Sequence, residues 1–268
     1  LDVTIREGGP NVNGMQLLMG GKTDFQSGYS LQSLNAVKEE IPLVTVAAMM
    51  QKDPQTLVVH KESYKTLPEL KGAPIRIPTA GRVAYWPWLK DKFGFTGDQL
   101  NPYDYSFAVF LENPDMAQQG YITNDGYFLQ KAGAADSTKS LLLADYGWNP
   151  YAYTIDTQRN TVENDPDLVK RFVEATIEGY ESYLQNPEPG NKLIKATNDN
   201  QNDELMEFSM EKFEKHDIFL AGAAKKHGIG TMSHKRWLDF YDKMVDAGVL
   251  PADLEFRKAY TLEFVEHP

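Results

Sequence analysis

The chain has 268 residues, 41% of them hydrophobic, with a formal net charge of −11 and no cysteine. That supports one large core or two ordinary lobes, while the acidic balance excludes a basic footprint for nucleic acid or anionic membrane. Absence of Cys removes disulfides, thiolate nucleophiles and Cys-based metal centres, and it fits an oxidising compartment.

The chain opens on "LDVTI", an alternating strand pattern, followed by the turn "REGGPNVNG", and it reads as though an N-terminal piece were missing. "NGMQLLMGGKTDF" predicts a helix stopped by Gly20-Gly21. "LVTVAAMM" (43–50) and "TLVVH" (56–60) are short, β-branched runs that predict buried strands. "ESYKTLPELKGAPIRIP" then gives a brief helix, a Gly turn and a strand at 74–77.

From Ala73 to Gly147 the pattern repeats. A strand leads into the aromatic helix "TAGRVAYWPWLK", then come the loop "GFTGDQLNPYDY" and a helix-like stretch at 117–119. Strand "GYITN", helix "DGYFLQKAG" and strand "LLLADYG" follow. Strands alternating with helices imply parallel α/β units. "YAYTIDT" reads as one more strand, and beyond it the chain is mostly helical. Asp165 is a predicted N-cap with Pro166 at the first helical position, and Ser233 caps a last amphipathic helix that Gly248 stops.

The arrangement predicted is two α/β lobes, the second inserted into the first. Residues 1–73 form the first part of lobe one, 74–147 lobe two, and 148–268 the return strand and C-terminal helices of lobe one. Two crossings, near Gly72 and near Gly147–Asn149, make a hinge with a cleft between the lobes.

Candidate ligand contacts follow from the strand-to-helix turns, each beside a plainer structural role. Arg82, in a first helical turn that disfavours a cation, is either a ligand contact or a solvated charge. Of Tyr85 and Trp86, one is expected at the cleft and the rest in the core. Trp148, Asn149 and Tyr151 flank the second crossing, where rings either sandwich a planar heterocycle or simply pack. Asn124 and Asp125 end a strand and either point into a crevice or cap a helix. Gln26, Ser27 and Tyr29 could donate from lobe one, and Gln51 or Asp53 could reach the cleft from a turn between strands. The five histidines, His60, His216, His227, His234 and His267, lack metal-ligand spacing. No catalytic set, metal or cofactor is predicted, and "GGPNVNG" is not a nucleotide loop.

"LDVTIREGGPNVNGMQLLMGGKTDF", "TLVVHKESYKTLPELKGAPIRI" and "DPDLVKRFVEATIEGYESYL" resemble ABC-transporter substrate-binding proteins related to the fungal thiamine-pyrimidine synthase. The resemblance implies a type II periplasmic binding protein fold, two Rossmann-like lobes joined by a double-crossing hinge. It further implies a periplasmic or lipid-anchored bacterial protein, monomeric, which delivers a small planar heterocycle to ABC permease subunits. A thiamine-precursor pyrimidine leads; a flavin, a taurine-like sulfonate or another small organic solute are alternatives, as is a vitamin-biosynthesis enzyme on the same scaffold. The family's first strand and helix have no counterpart here. The enzyme branch's cysteine-rich run is replaced by "GWNPYAY", and the family's acid-Pro pair by Asp125-Gly126.

Overall fold

The computed structural model describes residues 1–9 and 12–265; Pro10 and Asn11, in the expected turn, and His267 lie outside the described residues. The strands are β1 (Phe25–Tyr29), β2 (Leu43–Met50), β3 (Gln55–His60), β4 (Ile75–Arg76), β5 (Leu100–Asn101), β6 (Ala117–Tyr121), β7 (Thr138–Leu142) and β8 (Ala152–Gln158). The helices are α1 (Gly14–Met19), α2 (Ser30–Lys38), α3 (Thr79–Val83), α4 (Trp86–Phe93), α5 (Ala108–Leu111) and α6 (Asp125–Lys131). They continue as α7 (Arg159–Asn164), α8 (Pro166–Gln185), α9 (Glu188–Thr197), α10 (Asp203–Lys215), α11 (Ala224–His227) and α12 (His234–Asp246).

Two sheets form, in the orders β1-β8-β2 and β5-β4-β6-β3-β7. The first is antiparallel and the second mixed. β4 is parallel to β5 and β6, β3 is antiparallel to β6 and β7, and β8 runs antiparallel between β1 and β2. Every residue of β2 is buried, as its unbroken apolar run requires of a strand covered on both faces. The returning β8 is therefore the centre of the first sheet, and the chain cannot complete that sheet until residue 152 has been reached.

Three local expectations change. Residues 1–9 form no strand, and Leu1, Val3 and Ile5 stay exposed, because alternation alone cannot hold a strand that has no hydrogen-bonding neighbour. The helix-like stretch at 117–119 is β6: Ala117, Gln118 and Gln119 pair with β3 and β4. "LLLADYG" is the end of β7 followed by a 3-10 turn, Leu143–Tyr146. The sheet membership also shifts. β3, placed by the sequence within the 1–73 segment, hydrogen-bonds in the second sheet, so the chain passes between sheets at 51–54 rather than near Gly72. The run of residues 56–60 is apolar enough for either sheet, and only pairing decides between them.

The cap assignments stand. Asp165 accepts from Leu168 N–H at 3.1 Å and Ser233 from Arg236 N–H at 3.3 Å. α12 buries Trp237, Phe240, Tyr241 and Met244. α8 lies on the first sheet, where Phe172 stacks flat on Phe25, centroids 3.9 Å apart.

The crossings are held by α12. The Arg236 guanidinium donates to the Gln51 carbonyl at 2.6 Å and side chain at 3.2 Å on the outgoing crossing. On the return crossing it donates to the carbonyl of Pro150 at 3.2 Å. It also lies over the Tyr151 ring, 4.0 Å from the centroid. Lys52 and Asp145 add an ion pair at 2.7 Å between the two passages. Hydrogen bonds from a charged donor contribute about 1.5–3 kcal/mol each. Arg236→Ala is therefore expected to cost about 3 kcal/mol, read as a lower urea midpoint in equilibrium unfolding; an unchanged midpoint would show that the clamp contributes nothing.

Candidate functional site

The register fixes where a site can be. Tyr29 at the end of β1 and Met50 at the end of β2 both pair with Ala152, while Tyr121 at the end of β6 pairs with Gln55 at the start of β3. The carboxyl ends of β1, β2 and β6 thus converge on the two crossings, and open α/β sheets take their ligands in that crevice.

Four side chains meet there. The hydroxyl of Tyr29 lies beside that of Tyr121, with Asp53 and Tyr153 within electrostatic reach. The rings of Tyr29 and Tyr153 are 6.5 Å apart. Burial first, then the charge of Asp53, raises the Tyr29 pKa well above its ordinary value, and the same two causes lift Tyr121 to about 12. Tyr121 and Tyr153 nevertheless keep 37% and 42% of their surface open, so their faces are available.

Tyr153 owes its position to a bulge. In β8 Thr154 pairs with Gly28 and Ala152 with Tyr29, which leaves Tyr153 as the extra residue, at φ +47°. A non-glycine residue in that region carries about 1–3 kcal/mol of strain, a pattern that concentrates at functional sites. In a regular strand Tyr151 and Tyr153 would share a face; the bulge sends Tyr151 into the core and turns Tyr153 out.

Beside Tyr153 lies a cavity of about 680 Å³, within the range of small-molecule sites. Met50 and Tyr153 bound it from the first sheet, Thr123, Asn124 and Phe128 from the second, and α8 and α10 close it with Tyr180 and Phe213 among others. Among the described residues that line it, none carries a formal charge. A second groove of about 740 Å³ lies between residues 6–9, α1 and β1, all on the side of the first sheet.

Of the predicted contacts, Tyr29 and Asn124 reach the crevice and cavity, and Asp53 and Asp125 lie beneath. Asp53 is fully buried, accepting from Trp148 Nε1 at 3.1 Å and from the backbone and side-chain nitrogens of Gln55, both at 3.1 Å. Asp125 accepts the N–H of Tyr121, and its carboxylate fills the space where any Cβ on residue 120 would stand, hence Gly120. Asn149 accepts the N–H of Asp53 at 3.0 Å, tying the crossings together.

The others have structural partners. Trp86 packs on Phe95; Trp148 sits among Tyr85, Trp88 and Phe240; Tyr151 is buried, with its hydroxyl accepting Ser233 N–H at 3.0 Å. Tyr85 is fully buried too, and its hydroxyl has no partner. The ring expected at the cleft from 85–86 is therefore core. Gln51 is locked by Ala48, Thr231 and Arg236. Arg82 donates to the carbonyls of Ile77 at 2.9 Å and Asn101 at 3.0 Å, so it joins the ends of β4 and β5. Gln26 donates to Asp156 at 3.2 Å, and with Ser27 it lines the second groove. Tyr153 shares the sequence signal of the aromatics flanking Asn149-Pro150, whereas Tyr121, Tyr180 and Phe128 carry none as contacts.

One antiparallel and one mixed sheet, with β8 returning to complete the first, give the fold of periplasmic binding proteins. The periplasmic aliphatic sulphonate binding protein SsuA of Escherichia coli superposes with TM-score 0.66 at 14% identity, over 91% of this chain and 77% of that one. The desulfurization enzyme DSZB superposes with TM-score 0.57 at 12% identity, over 90% and 83%. The riboflavin-binding protein RibY of Chloroflexus aurantiacus is 23% identical over 239 residues, 87% of this chain and 67% of that protein. The NMT1/THI5 like profile matches residues 1–189, and the chain belongs to that family.

Burial raises the carboxyl pKa of Asp53 to about 7, of Asp125 to about 8 and of Asp156 to about 6. The folded state therefore holds protons that the unfolded chain, titrating near pH 4, has released. Stability is expected to be fullest below about pH 4 as far as these three groups are concerned, and to fall as pH rises toward 8. Asp53→Asn should flatten that decline, measured as urea midpoints against pH; an unchanged slope in the variant would remove Asp53 from the account.

Proposed function

We propose that this protein is an extracytoplasmic binding protein that captures an uncharged, planar nitrogen heterocycle and hands it unchanged to an ABC importer. The observation that carries the reading is the charge-free, ring-lined cavity bounded by elements of both sheets. A sulfonate brings a fixed negative charge, and burying it without a cation or a dense set of donors is costly. A flat neutral ring loses little by leaving water and gains stacking against faces such as Tyr153 and Tyr180, about 0.5–1.5 kcal/mol beyond area burial.

Within that class a flavin-type ring leads and a thiamine-precursor pyrimidine is second. The cavity has room for three fused rings, and the relative from Chloroflexus aurantiacus is named for binding riboflavin. The segments 1–50 and 152–265 form one lobe in this reading, and 55–142 the other. The lobes close on the ligand by rotation about the two crossings. The chain acts as a monomer that docks on permease subunits, and the groups near the cavity bind and orient without making or breaking a bond.

Thermal unfolding with riboflavin, lumichrome, an aminopyrimidine, taurine and ethanesulfonate separates the possibilities. Ligand at a hundred times its Kd should add about 2.7 kcal/mol of stability. The neutral rings are expected to raise Tm and the sulfonates to leave it unchanged. Tyr153→Ala should weaken ring binding roughly tenfold. Stabilisation by sulfonates alone would overturn the reading.

A further inference from the structure

Four oxygens of the cavity lining point to one kind of ligand edge. Asn124 Oδ1 is buried and accepts no hydrogen bond. Three hydroxyls of the lining have already committed their hydrogens to the protein. Ser209 directs its one hydrogen to the carbonyls of Thr123 and Leu205, each 2.9 Å from its Oγ. Thr176 donates to Phe172 O and Tyr183 to Asn191 Oδ1, both at 2.7 Å. What these four oxygens still offer is lone pairs, since a hydroxyl has two acceptor sites beside its single donor; the Asn124 amide nitrogen adds N–H donors of its own.

We infer that the site selects a ligand presenting N–H or O–H donors, and that Asn124 is the specificity-determining residue, accepting from a ring N–H. This rests on the neutral-ring reading above and narrows it to lactam, imide or amino-bearing heterocycles. An unpaired buried acceptor is destabilising on its own, so the free protein holds Asn124 at a cost that a donor on the ligand relieves. The same asymmetry gives selectivity: a site built to pair with an N–H rejects an analogue lacking it far more strongly than it rejects a change in apolar bulk. Asn124 has no competing structural duty, because its side chain makes no capping bond to α6.

The test pairs lumiflavin, whose ring carries an imide N–H, with its 3-methyl analogue, in which that hydrogen is replaced. Titration by quenching of ligand fluorescence should show the methylated ring binding about tenfold or more weakly. In Asn124→Ala the two rings should bind within about twofold of each other, while the free variant unfolds at the same temperature as the parent or higher. Equal affinity of the two rings for the parent protein would overturn the donor assignment while leaving the neutral-ring reading intact. Discrimination that survives Asn124→Ala would remove Asn124 from the role. Binding of neither ring, with an aminopyrimidine bound, would reject the imide edge. Binding of none of the three would overturn the neutral-ring reading and this inference with it.

Discussion

The structure depends on satisfying buried polar groups where the chain passes twice between its sheets. Backbone carbonyls and amides at such crossings belong to no ladder, yet they lie out of water and need partners. Arg236 supplies donors to both passages at once, and Asp53 supplies acceptors to Trp148 and Gln55 from the outgoing one. Each is an ionisable group held by polar neighbours: among the described residues no ion pair joins the two, and each charge favours the other's ionised form from a distance. The path of the crossings is thereby fixed by hydrogen bonds, and the ends of β1, β2 and β6 are brought to one place.

From that fixed path the rest follows by packing. Trp148 enters the core between α3–α4 and α12, where Tyr85 and Trp88 form the surface against which the return crossing packs, while Trp86 packs on Phe95. With those rings buried, the crevice must be lined from elsewhere. The β8 bulge performs that task, directing one tyrosine inward to Arg236 and the next outward to the cavity. α10 then spans the boundary, with Ser209 bonded to Thr123 and Lys131 paired with Glu204, so C-terminal helices roof a space that Met50 and Tyr153 bound from the first sheet.

Local signals were legible in the sequence and pairing was not. Caps at Asp165 and Ser233, the buried run of β2 and the amphipathic last helix depend on residues near one another in the chain, and each was readable. Assignment of β3 to a sheet depends on partners 60 to 86 residues away, and an apolar run carries no label for its neighbour. The same limit explains the site. Tyr29 and Asn124 stand at strand-to-helix turns, which periodicity marks. Tyr153 faces the cavity because of a register slip against β1, and Tyr180 because of where α8 lies, neither of which a pattern of two or 3.6 reveals. Trp148 and Tyr151 were aromatic at the right location, yet their partners Asp53 and Arg236 claim them for the interior.

All four tryptophans, Trp86, Trp88, Trp148 and Trp237, are buried, and Trp148 donates its indole N–H to Asp53 beside the crossing. The molecule thus carries its own optical gauge at the pivot. Ultraviolet emission should originate from shielded indoles, so its peak should lie to the blue of a hydrated ring. An absorbing guest lodged next to Tyr153 would drain that light by resonance transfer, allowing occupancy to be watched in an unlabelled chain.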